Sequence, residues 1–175
     1  MDVNWKLLAL LVAVVGGMAV GTQALLNGSV GRSRGVLEAI FVSVSVSYLG
    51  TVAAMGLKAT ATRHFGLPMR PVVVGVVAAA AVLTLIVLIA VARDFPLPLL
   101  SPGLLGLVVL FAGTFAAPVL GVGLTAAALT AGQIGIGLVW DQLGVLGLPE
   151  IPLSPLRVVG MALIIVGVVL VRGLP

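Results

Sequence analysis

Between Leu104 and Trp140 the chain runs for 37 residues without one charged side chain. As a single helix rising about 1.5 Å per residue this stretch would extend roughly 55 Å, against a hydrocarbon core of ~30 Å. It is too apolar for water and too long for one crossing, so it must fold back on itself inside a membrane. Pro118, with Gly121 and Gly123 just after it, supplies the expected break and turns the stretch into a tight antiparallel hairpin.

The rest of the chain obeys the same logic. Of its 175 residues 61% are hydrophobic and 8% charged, where soluble domains carry about 25% charged residues; the mean hydropathy is +1.35. A barrel would show short segments of alternating polarity, and these runs do not alternate. The reading is an all-α, polytopic transmembrane bundle in one domain, 1–175. Its spans fall roughly at 7–27, 36–57, 71–92, 103–117, 119–140 and 155–172. Met1–Lys6 followed by LLALLVAVVGGMAVG has the order of a secretory signal. Several more spans follow it, so it reads as a retained first helix. Ser154 and Pro155 make an N-cap and first-turn pair for the last span.

The net charge is +4, from nine basic and five acidic residues. In a soluble domain such a balance would suggest nucleic acid. Here the basic residues punctuate the ends of apolar runs, where lipid headgroups lie, so no nucleic-acid partner is expected. With six spans one face carries Lys6, Lys58, Arg63, Arg70 and Arg172, and the other Arg32, Arg34, Arg93 and Arg157. Orientation follows a clear imbalance of Lys and Arg; five against four predicts a chain that inserts both ways round.

Few side chains could carry chemistry. There is no cysteine and a single histidine, His64 in a basic loop, so neither a metal site nor a cofactor is expected, nor an acid–base dyad, and an enzyme is disfavoured. Within the spans stand Gln23 and Asn27, Glu38, the serines Ser43, Ser45 and Ser47, and Gln133. Gln23 and Asn27 are four residues apart and share a helical face. An unpartnered amide in hydrocarbon costs several kcal/mol, so this face points at protein or at a watery pathway, as interhelical glue, substrate lining or both. Glu38 reads as an acid at a helix N-terminus, four residues from Arg34, with proton coupling as the functional alternative. Trp140 and Asp141 read as an interface anchor. Gly17 with Gly21, and Gly132, Gly135 and Gly137, are positions for close helix packing.

GTQALLNGSVG at 21–31, EAIFVSVSVSYLGT at 38–51, SPGLLGLVVLFAGTFAAPVLGVGLTAAALTAGQ at 101–133, WDQLGVLG at 140–147 and LSPLRVVGMALIIVGVVLV at 153–171 form a recognisable series. In their order and spacing the chain resembles the small inner-membrane exporters of the drug/metabolite transporter superfamily, the YdcZ family. The resemblance implies half of a ten-helix transporter, inserted in both orientations in the inner membrane and paired as an antiparallel homodimer. Relatives of this type usually have about five spans. The additional stretch here, Pro71–Ala92, is thus either a genuine sixth helix or partly re-entrant. The small multidrug exporters of the superfamily keep a glutamate in mid first helix, and this chain has none there. The expected function is export of a small metabolite or drug-like molecule by alternating access. Gln23, Asn27, Ser43, Ser47 and Gln133 would line one substrate cavity, and Glu38, Asp141, Trp140 and Pro118 are coupling or gating candidates. A lipid or amphiphile flippase and a non-transporting scaffold subunit are the other readings.

Overall fold

The computed structural model describes residues 3–62, 70–91, 93 and 100–173. Arg63 and His64 of the second connection, and Ala92 at the end of the third expected span, lie outside them. Six helices follow in order: α1 (Val3–Arg34), α2 (Val36–Thr62), α3 (Pro71–Val91), α4 (Pro102–Leu120), α5 (Val122–Leu143) and α6 (Pro155–Arg172). Each is long and apolar enough to cross a membrane, and no strand occurs among the described residues. The stretch from Pro71 is an unbroken 21-residue helix, so it has the length of a full span.

Helix α1 is longer than expected. Its 32 residues correspond to about 48 Å, so the helix passes straight through GTQALLNGSVG and projects beyond the hydrocarbon. It ends at Gly35, whose φ of 117° only glycine adopts at no steric cost. One residue therefore separates α1 from α2. The carboxylate of Glu38, in the first turn of α2, folds back over Gly35, where the helix dipole favours negative charge. Arg34 and Glu38 consequently belong to different helices, and their four-residue spacing is not a same-helix pair.

The second hairpin corrects the expected break. Pro118 lies inside the last turn of α4, and the turn is made by Gly121 alone, at φ 83° and ψ 156°. A proline's fixed φ is itself helical, and it removes only one intrahelical bond. A residue in this glycine-only region cannot continue the helix at all.

Alternation of direction defines two ends. At one, Trp5 packs edge-on against Phe115 at 5.4 Å, and Lys6 and Arg172 share a cavity with the α4–α5 turn. At the other, Leu37 and Phe41 of α2 line one pocket with Val91 of α3. There Ser29 of α1 donates to the Leu146 carbonyl at 3.3 Å and Arg32 donates to that of Gly147.

Helix α1 is the hub, packed most extensively on α5 and α4 and then on α2. Its core is built of small residues: Ala9 and Ala13 are fully buried with Ala116 of α4 and Ala128 of α5. A Cβ on Gly17 would strike the backbone of Leu129, and one on Gly132 the backbone of Val14. Backbone therefore lies on backbone, which is what small residues permit where lipid supplies no hydrophobic drive. Of the other two glycines noted in α5, Gly135 faces Met161 of α6 and Gly137 faces open space. Helix α6 packs on α5 and buries none of its residues.

Candidate functional site

Two polar layers occupy opposite faces of α1. Gln23 Nε2 donates to Ser43 Oγ at 3.4 Å, and Ser47 Oγ donates to the Gly103 carbonyl at 2.8 Å. These bonds stitch α1 to α2 and α2 to α4 within the protomer. Gly106 makes the layer possible, because a Cβ there would come within 2.9 Å of Ser47 Oγ and 3.3 Å of Gln23 Nε2. Ser43 is buried, as is Ser45. One turn further along α1, Asn27 is half-buried, and its Oδ1 is enclosed without a hydrogen-bond partner among the described residues. Buried polar atoms are nearly always paired, so this acceptor is the conspicuous open valence of the layer.

Gln133 does not join these residues. It shares a groove of about 370 Å³ between α1 and α5 with Gly21, Ala24, Gly28 and Gly137. At ~100° per residue, Gln23 lies about 200° round the helix from Gly21. The body of α1 thus separates Gln133 from Gln23 and Asn27, and the expected single cavity is two sites. Periodicity put Gln23 and Asn27 on one face, but only packing decided which neighbour that face would meet. Gln133 is exposed, and its side chain makes no hydrogen bond to the described residues.

Trp140 and Asp141 close the groove towards the Arg32 end. Trp140 Nε1 donates to Thr22 Oγ1 at 3.1 Å, so the indole ties α5 to α1. Asp141 pairs with Arg157 at 2.5 Å, with the two side chains 39% and 30% exposed, and its carbonyl accepts from Ile151 at 2.7 Å. The connection from Gly144 to Ser154 is thereby strapped across the end of the bundle. Gln142 Oε1 accepts from Leu153 N at 2.6 Å, and Arg32 and Ser29 hold the short 3-10 turn at Val145–Gly147. Glu38 stands apart, exposed beside Leu37 and Phe41, and Pro118 is exposed at the opposite end.

Sequence reasoning missed Gly106, Thr22 and Arg32. Gly106 was one glycine among 23. Thr22 adjoins Gln23, but nothing local pairs it with a tryptophan 118 residues away. No group of three or more His, Cys, Asp or Glu side chains able to hold a metal exists among the described residues.

Six span-length apolar helices around an amide-bearing hub define a multi-pass helical membrane protein. Residues 69–170 match the family described as "Putative inner membrane exporter, YdcZ", more than half of the chain, and the chain belongs to this branch of the drug/metabolite transporters. It is a multi-pass protein of the inner membrane. The matched residues hold α3 to α5 and most of α6, with Gln133, Trp140 and Asp141; Gln23, Asn27, Glu38, Ser43 and Ser47 precede them. No curated protein and no solved structure matched the chain.

Proposed function

We propose that the chain exports a small metabolite or drug-like molecule by alternating access, working as an antiparallel homodimer. The observation that carries this reading is Gln133, an exposed amide without a hydrogen bond to the described residues, halfway along a helix of span length. Hydrocarbon cannot satisfy it, so the α1/α5 face calls for a second copy or a watery pathway. An inverted pair of such grooves meets both needs, and rocking of one copy against the other would open them alternately. Gln23, Asn27, Ser43 and Ser47 are then the closed part of the pathway. The enclosed Asn27 Oδ1 is the acceptor a substrate donor would take once α1 and α2 part.

Thermal-shift screening against metabolite and cation libraries supplies ligands, since whatever binds the folded state raises its stability. Gln133→Leu is expected to fold and assemble like the wild type but to lose that stabilisation and the corresponding flux in vesicles. Unchanged stabilisation and flux would remove Gln133 from the pathway. The groove lies on the outer face of the protomer, which favours an amphiphile flippase as the second reading. Translocation of a fluorescent phospholipid, without flux of soluble hits, would select it.

A further inference from the structure

The basic end of the bundle carries a second cavity that export does not use. It has a volume of about 270 Å³ and lies between the start of α1, the α4–α5 turn and the end of α6. That is roughly the space of nine waters at ~30 Å³ each. Leu7, Leu10, Val119 and Leu124 form its walls, and Lys6 and Arg172 both line it. Neither cation has a carboxylate partner among the described residues, because the described acids Glu38, Asp141 and Glu150 all belong to the opposite end. Among the described residues the charges divide the same way: Lys6, Lys58, Arg70 and Arg172 stand at this end without an acid, and Arg32, Arg34, Arg93 and Arg157 stand at the other with Glu38, Asp141 and Glu150.

A cavity with aliphatic walls and, at its rim, two cations that have no carboxylate partner among the described residues is itself amphipathic, at the depth where a helix emerges from the bilayer. Its complement has an anionic head and an apolar tail. We propose that Lys6 and Arg172 bind the phosphodiester of an anionic phospholipid, whose first methylenes lie along Leu7, Leu10 and Val119. Arg172 can take two phosphate oxygens side by side and Lys6 acts as a point charge beside them. Basic pockets between transmembrane helices hold anionic headgroups on the same terms. The bound lipid would bridge the first and last helices, and α6 otherwise packs on α5.

The test uses the full chain purified in a neutral detergent, titrated with phosphatidylglycerol and with phosphatidylcholine of equal chain length. Binding is read by native mass spectrometry and by the emission of Trp5, which lies at this end. The expected result is retention of phosphatidylglycerol over phosphatidylcholine, weakened about thirtyfold in Lys6→Gln/Arg172→Gln. Lys58→Gln, at the same end but outside the cavity, keeps the preference, as does the charge-preserving Lys6→Arg/Arg172→Lys. Equal retention of both lipids by the wild type overturns the proposal, and this readout needs no variant to fold. An undiminished preference in the double Gln variant overturns it too, as does equal competition by glycerol phosphate, which would make the site one for free phosphate. If the double variant loses the dimer while keeping the lipid, the cations serve the partner's carboxylates and the proposal falls.

Discussion

At the residue scale, stability rests on where a side chain is missing. Gly17→Ala and Gly132→Ala each drive a methyl into the facing backbone. Each should destabilise the protein by about 1–3 kcal/mol, the usual cost of overpacking, measured by unfolding in detergent. Gly137→Ala meets open space and should be neutral or stabilising by up to ~1 kcal/mol through helix propensity. If all three behave alike, the α1–α5 contact is looser than described. Gly121→Ala is a different case, because the residue has room but the wrong φ. A cost of about 1–3 kcal/mol is expected from strain alone, and loss of that cost on repeating the substitution at Gly123 separates conformation from packing. The GxxxG spacing of Gly17 and Gly21 was legible beforehand. Its partner on α5 was not, because spacing defines a face and says nothing about which helix covers it.

At the scale of elements, the strap and the last helix are the weakly held parts. Ser154 caps α6 by accepting from Arg157 N at 3.3 Å, as the Ser-Pro pair predicted. Ser154→Ala should cost about 1 kcal/mol, seen as faster hydrogen exchange in the first turn of α6 and nowhere else. The Asp141–Arg157 pair is more than a third exposed on its acid side, and such pairs contribute little. Asp141→Asn should therefore change unfolding by less than about 1 kcal/mol while making the 144–154 strap more open to limited proteolysis. Destabilisation well beyond that would mean the pair anchors the bundle. The sequence presented Trp140 and Asp141 as interface anchors and as coupling or gating candidates, without naming their partners. Their hydrogen bonds run to Thr22 and Arg157, contacts that arise only once α1, α5 and α6 converge at one end.

For the whole molecule, insertion and pairing are the open physical questions. The chain has no cysteine, so single cysteines can be placed without background. Ser33→Cys at the strap end and Thr60→Cys at the basic end should each react with a membrane-impermeant maleimide from both sides in comparable amounts. That is the outcome expected from five basic residues against four. Labelling of each site from one side only would establish a single orientation and remove the antiparallel dimer.

The all-helical class, a series of about six spans in order and the Ser154 cap of the last were determined by the sequence alone, with 71–92 open between a full span and a partly re-entrant stretch. Solvation decides them locally: a run of apolar residues either fits the hydrocarbon or does not, and a cap acts within one turn. Even so, the hairpin's turning point was misplaced by three residues, at Pro118 instead of Gly121, since a proline tolerates the last turn of a helix. What only the tertiary structure decided is which polar residues keep company. Gln23 faces Ser43, Gln133 faces the outer groove, and Lys6 shares a cavity with Arg172 across 166 positions of chain. In a membrane the helices have almost no hydrophobic reason to prefer one partner over another. The fit of small residues makes that choice, and it is a property of pairs of surfaces that no single stretch of sequence contains.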